Sequence, residues 1–368
     1  MQFKNINQMV ASLMIKELSI KNFKVLRNLY IPRLCPVTLI SGKNNVGKST
    51  VLEAIFFSNS YSQSDTFIKL NMIRGAQVST ITELWKSYFT LTSSEKNIFI
   101  RIDEGNSSKT IKVSLENGKK SDKQVGEILP VNDNLKLSNN NVLDQYLSIS
   151  ATNDTYEDKI SFYIGFDGKL QIEDLTPQNN KLRISAYTQF LGVKVGYGSL
   201  NLAELYGKMD LEGKTNIIVD ALRLFDSEII DIKTIVQNGI AKLYATFKNG
   251  VKLPIDYMGD GINKLMCICI SILANPNGII LIDEIENGFH YTMHKKIWEM
   301  IFAVAQEANT QVIATTHSYE CIQGASEAIG TDDRFGYVRL DQINEQIVAK
   351  YMSAEQLKMA MDSELEVR

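Results

Sequence analysis

Gly42, then four residues, then Gly47, Lys48 and Ser49 make the pattern G-x-x-x-x-G-K-S inside the stretch LISGKNNVGKST. Phosphate carries dense negative charge and must be held by many donors. A glycine-rich turn aims successive backbone N–H groups inward, and the helix that follows adds its positive end. Gly42 and Gly47 permit the close wrap, and Asn44 and Asn45 lie within the same cradle. At this spacing Lys48 reaches β- and γ-phosphates as a point charge, Ser49 offers a hydroxyl to Mg2+, and Thr50 hydrogen-bonds a phosphate. The chemistry indicated is binding of a nucleoside triphosphate.

A second group lies more than two hundred residues later, in GIILIDE. Asp283 sits at the end of an apolar run, where an acid is costly without a partner, and a magnesium-bound water is such a partner. Glu284 follows directly and is placed to polarise an attacking water. Further on, TTHS carries His317, one of three histidines with His290 and His294. Cys35, Cys267, Cys269 and Cys321 form no C-x-x-C pair, which argues against zinc and for buried free thiols in a reducing, cytoplasmic compartment.

The elements around these residues follow from hydrophobic period. IKELSIKNF reads as a half-exposed strand with NLYI as its hairpin partner. PVTLIS is a strand leading into the glycine loop, and STVLEAIFF is a helix with Val51, Leu52, Ile55 and Phe56 on one face. That strand–loop–helix context is what a phosphate loop requires. Residues 61–183 alternate short β-like runs (NIFIRIDE, TIKVSLE, KISFYIGF, KLQIEDL) with polar breaks. ENGK and FDGK read as tight turns and PVNDNLKLSNNN as a mobile loop, so this region reads as an inserted α+β subdomain. The core resumes over 184–352. LAELYGKM and KTNIIVDALRLF are helical, and EIIDIKTIVQ, GIAKLYATF and VKLPID are antiparallel strands. INKLMCICISILA is a helix apolar nearly all round, hence buried. GIILIDE and TQVIATTHS are buried strands flanking a helix whose stripe is Met293, Ile297, Ile301, Val304 and Ala308. FGYVRLD and QIVAKYM make a late hairpin. Ser353 and Gln356, in capping-box spacing, open a C-terminal helix in 353–368.

The chain has 368 residues, 22% of them charged, and a net charge of −3, so no whole-protein field draws in nucleic acid or an anionic membrane. The N-terminus lacks an uninterrupted apolar core, and no apolar run approaches the length of a membrane span.

The order IKNFKVLRNL, GKNNVGKST, GDGINKL, LIDEIENGFH, TTHS resembles the OLD-type (overcoming lysogenization defect) branch of ABC ATPases, close to SMC and RecF-like heads. The resemblance spans about residues 14–60 and 184–350. It implies an α/β fold, the ABC-type P-loop ATPase head, with a mixed β-sheet, flanking helices, an antiparallel β-subdomain and the inserted α+β region. It implies ATP and Mg2+ as ligands, with Ser49 and Asp283 on the metal and Lys48, Glu284 and His317 catalytic. YMGDGINKL stands where such heads carry L-S-G-G-Q. It keeps Gly261 but has Gly259 for the serine and Asp260 for a glycine; these three residues either meet the γ-phosphate of a second subunit or simply cap a helix. Lys24 in NFK either approaches the nucleotide or is a solvated strand lysine. Glu286 and His290 either couple two sites across a dimer interface or lie on a surface loop. Gln77 and Gln189 both stand open as the family's glutamine loop.

The resemblance further implies two copies sandwiching ATP head to tail. OLD enzymes and the Gabija ATPase append a TOPRIM nuclease, which needs a D-x-D pair. None occurs here, and about 50 residues follow His317. The implied role is therefore a stand-alone ATPase subunit of a split phage-defence system such as PARIS, controlling a separate nuclease or toxin. Two other readings remain open: a DNA-binding SMC/RecF-like repair ATPase, which the charge does not indicate, and a nucleotide-gated scaffold of negligible turnover.

Overall fold

In this computed structural model the described residues are 14–367, apart from 64–65, 67–68, 71–86, 90–96, 118–127, 130–144, 154–155, 165–169, 175–185 and 193–201. The turns read at ENGK and FDGK, the loop at PVNDNLKLSNNN, and Gln77 fall wholly or partly outside them. The chain divides into two compact units: residues 1–34, 42–188 and 338–351, and residues 35–41, 189–337 and 352–368.

In the first unit, charged and apolar residues alternate along β1 (Glu17–Phe23) and β2 (Leu26–Ile31), so Leu18, Ile20, Leu29 and Ile31 share the buried face of an antiparallel hairpin. The region read as an insertion is not set apart from this hairpin. Strand β4 (Asn97–Asp103) pairs antiparallel with β1, Ile20 opposite Ile100. The sheet continues through β5 (Ser108–Asn117), β7 (Gln145–Thr152), β8 (Glu157–Ile164), β9 (Leu170–Asp174) and β6 (Ile128–Leu129), giving the order β2-β1-β4-β5-β7-β8-β9-β6. The reason is edge pairing: β1 has β2 on one side only, and the period-two apolar residues of β4 and β5 extend its buried face.

Helix α1 (Lys48–Ser60) packs on β1 and β4. A single buried face was expected for it, but Thr50 to Ser58 are all buried, together with Ser60, so the helix is enclosed on every side. Its far end carries a polar cluster: Tyr61 Oη donates to the fully buried Asp158 at 2.8 Å, and the Lys109 ammonium lies 5.8 Å from the Tyr61 ring.

The second unit is built on parallel strands. β15 (Gln311–Thr315) has β14 (Ile279–Ile282) on one side and β3 (Val37–Gly42) on the other, all three running the same way. In this unit the strand order is β10-β14-β15-β3, with β10 at Thr188–Leu191; β16 (Phe335–Ile343) and β17 (Gln346–Ser353) carry residues 338–351 of the first unit. Strands buried on both faces explain the continuous apolar runs of IILI and VIAT. Around them pack α2 (Leu202–Leu211), α3 (Asn216–Arg223), α4 (Asp260–Leu273), α5 (His294–Ala308), α6 (Tyr319–Ile329) and α7 (Ala354–Asp362).

Helix α4 is buried from Lys264 to Leu273, as its all-round apolar sequence requires. The three antiparallel strands β11 (Ile229–Gln237), β12 (Ile240–Phe247) and β13 (Lys252–Pro254) form the small sheet read from the sequence. Helix α7 opens on the Ser353–Gln356 capping box and places Leu357 in the core, with Val367 beyond it also buried there. All four cysteines are free and buried, and no described helix is long and apolar enough to cross a membrane.

Candidate functional site

Strand β3 ends at Gly42, whose φ is +141°; a Cβ there would lie 2.4 Å from the carbonyl oxygen of Leu340, so only glycine fits. The chain then turns through exposed Lys43, Asn44 and Asn45, with Asn45 in the left-handed region. It enters α1 through Gly47 at φ +83°, packed so closely on Leu26 that a Cβ would meet that side chain at 2.8 Å. The loop's curvature is therefore set by glycines and by the β1–β2 hairpin. Lys48, the first residue of the helix, donates from Nζ to the carbonyls of Gly42 at 2.8 Å and Lys43 at 2.9 Å. Its ammonium thus arches over the loop, while the first N–H groups of α1 supply the positive end of the helix. Ser49 is half-buried and Thr50 buried in that first turn.

Lys24 is not a solvated strand lysine. Its Nζ lies 2.9 Å from Oε2 of Glu53 on α1, with 10% and 1% of the two side chains exposed. The ammonium also sits 5.2 Å from the Tyr88 ring and 5.5 Å from that of Phe23. A buried carboxylate on the phosphate-loop helix is the stronger attractor.

In the second unit, Asp283 follows β14 and accepts from Thr315 Oγ1 at 2.6 Å. The same Thr315 oxygen accepts from the Glu284 N–H at 2.9 Å, so one hydroxyl fixes both acids to the neighbouring strand. Glu284 has φ +47°, a left-handed conformation that a non-glycine residue holds only under local constraint. Two contacts supply it. Asn287 Nδ2 donates to Glu284 Oε2 at 2.6 Å, and Lys264 Nζ donates to the carbonyls of Glu284 and Asn287, each at 2.9 Å. Burial pulls the Lys264 ammonium down to about 8, partly offset by the carboxylates of Glu286, Glu284 and Asp283.

His317 stands beyond β15, whose last residues run alongside β3: the Thr316 N–H donates to the Ile40 carbonyl at 3.0 Å. Glu286 Oε1 takes both the His317 backbone N–H at 2.7 Å and Nδ1 at 2.9 Å. His290 Nδ1 bonds Thr292 Oγ1, its ring lies on Tyr291, and Glu286 belongs to His317.

Gly259 (φ +89°) precedes α4 and is exposed, as is Asp260. Gly261 lies so close to the acidic turn that a Cβ would sit 2.9 Å from the Gly288 carbonyl oxygen. Gln189 is buried, donating to Ser271 Oγ and accepting from Asn275, which makes it a packing residue. The carboxyl ends of β3, β15 and β14 are thus adjacent, and the three sequence motifs follow from them.

A hydroxyl such as that of Ser49 and a carboxylate such as that of Asp283 are each oxygen donors of the kind Mg2+ takes, in company with nucleotide phosphates. No group of three or more His, Cys, Asp or Glu side chains arranged for a metal occurs among the described residues, and a phosphate-shared Mg2+ needs none.

Sequence reasoning missed Lys264, Thr315 and the role of Glu286. A signal existed for two of them: Lys264 is the one basic residue of an otherwise largely apolar helix, and Thr315 is a hydroxyl at the end of a buried strand.

A parallel sheet whose strands end in a glycine loop with helix, an acidic pair and a histidine defines an α/β ATPase of the P-loop class. The chain belongs to the AAA ATPase domain family, whose model matches residues 14–195 and 200–322. A Helicobacter pylori protein described as an ATP/GTP phosphatase is 23% identical over 373 residues, covering 95% of this chain and 99% of its own length. The Methanocaldococcus jannaschii protein MJECL10 is 25% identical over 229 residues, covering 60% of this chain and 90% of itself. Among solved structures, an SMC head bound to the C-terminal winged-helix domain of ScpA superposes with a TM-score of 0.54 at 15% identity, covering 95% of this chain and 99% of that one. The fold is that of SMC-type heads, the ABC-type P-loop architecture.

Proposed function

We propose that this protein hydrolyses ATP at a site to which Lys48, Asp283, Glu284 and His317 all contribute. The observation that carries the reading is the parallel adjacency of β3, β15 and β14, each ending in one of the motifs. Membership of an ATPase family and a relative described as an ATP/GTP phosphatase support it. The Gly42–Gly47 loop, with Asn44 and Asn45, cradles the phosphates. Lys48 leaves its loop carbonyls for the β- and γ-phosphates, and Thr50 adds a hydroxyl. Ser49 and Asp283 would hold Mg2+, which would supply charge neutralisation to the phosphates. Glu284 orients a water and takes its proton as the water oxygen bonds to the γ-phosphorus; the bond to the β–γ bridging oxygen breaks, and ADP leaves.

Two copies then associate head to tail, the Gly259–Gly261 segment of one completing the ATP site of the other. ATP becomes part of the interface, so hydrolysis alters the association free energy and acts as a timer on a population shift. The ordered resemblance to OLD-type heads supports a role in phage defence, with the ATP state governing a separate nuclease or toxin. An SMC head solved bound to the winged-helix domain of ScpA, a neighbour in fold, supports the reading that this chain too works with a protein partner.

The test is light scattering of Glu284→Gln in saturating Mg-ATP. A long-lived dimer is expected, because the proton acceptor is lost while binding is kept. A chain that stays monomeric while it binds ATP refutes the sandwich.

A further inference from the structure

Glu286 is the one acid of the segment DEIENGFH that the proposed chemistry leaves without a task. Only 8% of it is exposed, and its Oε1 accepts two hydrogen bonds from a single residue, His317. Its Oε2 is also buried and has no hydrogen-bond partner among the described residues. An oxygen left so destabilises a fold by about 1–3 kcal/mol, so packing alone gives no reason for a carboxylate here. Three other helices face the same carboxylate with a titratable group each: Lys264 on α4, His294 on α5 and Cys321 on α6. None of them hydrogen-bonds Oε1.

An oxygen that already accepts a main-chain N–H is an acceptor to the ring as well, so Nδ1 of His317 is the donor. In a neutral imidazole one nitrogen carries the hydrogen and the other a lone pair. We infer that Glu286 is the positioning residue of His317, fixing the Nδ1–H form so that Nε2 is an acceptor. This rests on the ATPase reading. Within it, the Nδ1–H form of His317 receives a hydrogen bond from the attacking water at Nε2 and does not donate one to the γ-phosphate. It would therefore share with Glu284 the task of aiming the water. The backbone contact sets the height of the ring and the side-chain contact sets its rotation, both through one atom.

The experiment is nitrogen NMR of the full chain labelled at histidine, with steady-state ATPase kinetics on the same samples. The parent, Glu286→Ala and Glu286→Gln are compared, and His317→Asn assigns the resonance. The parent should show His317 protonated at Nδ1 and bare at Nε2. Glu286→Ala should mix the two tautomers and lower kcat on the order of 10–100-fold, with the KM for ATP nearly unchanged. Glu286→Gln, which keeps a carbonyl acceptor, should hold the tautomer and recover most of the rate. It also separates this effect from a folding defect. An Nε2–H ring in the parent, or the same ring signal in parent and Glu286→Ala, overturns the inference. A parent that turns over no ATP overturns the ATPase reading instead, and the ring signal still decides on Glu286.

Discussion

Lys24 and Glu53 offer a test in which two accounts of one residue predict opposite results. The ion pair closes at 2.9 Å with Glu53 only 1% exposed, and it joins the β1–β2 turn to the helix that begins at Lys48. At an effective dielectric near 20, charges this close attract by about 6 kcal/mol before desolvation is subtracted. Removing one partner of a buried pair costs about 3–5 kcal/mol, whereas replacing both by apolar residues is often neutral. Lys24→Met should therefore lower the unfolding free energy by about 3–5 kcal/mol. Glu53→Leu should cost less, because the 10%-exposed lysine can extend into solvent. The double replacement should return to within about 1 kcal/mol of the parent. Urea denaturation of the four proteins measures this cycle, and calorimetric titration with ATP on the same samples measures binding. If Lys24→Met leaves stability unchanged and weakens ATP binding more than about tenfold, a difference of about 1.4 kcal/mol, the lysine is a nucleotide contact and the buried-pair argument fails.

Gly261→Ala forces a Cβ to within 2.9 Å of a backbone oxygen that cannot swing aside, so α4 must shift from the acidic turn. A stability loss of about 1–3 kcal/mol and a fall in kcat are expected in denaturation and turnover assays, and a parent-like variant refutes the contact. Lys264 gives a pH signature. Its ordinary value of 10.5 falls to about 8 in the fold, so between those pH values the unfolded chain binds a proton that the folded chain has released. Folded stability must rise with pH across that window. Measured as the difference between the parent and Lys264→Met, the rise should be about 1–2 kcal/mol from pH 8 to pH 9.5, and a flat difference contradicts the burial argument.

The strands and the phosphate loop were legible because each rests on local chemistry: period-two alternation in β1, unbroken apolar runs in β14 and β15, and fixed glycine spacing before Lys48. What escaped depended on neighbours distant in sequence. The enclosure of α1 on all sides follows from its burial in the first unit, and no window of thirteen residues contains that information. Residues 61–183 looked separate because polar breaks interrupt them, yet β4 is bound to β1 by pairing that composition cannot reveal. The contact of Glu286 with His317 escaped because the two lie 31 residues apart along the chain, one after each of two neighbouring strands. Lys24 has the same explanation, since Glu53 lies on an element whose docking only the fold discloses.

The claim on which the mechanism rests is that Lys48, Asp283 and His317 serve one triphosphate. A crystal structure of Glu284→Gln grown with Mg-ATP measures this directly. The account predicts Lys48 Nζ on the β- and γ-phosphate oxygens, Asp283 on the Mg2+ or its water, and His317 Nε2 facing the γ-phosphate end. A triphosphate held by Lys48 with Asp283 and His317 both beyond the length of the nucleotide would contradict it.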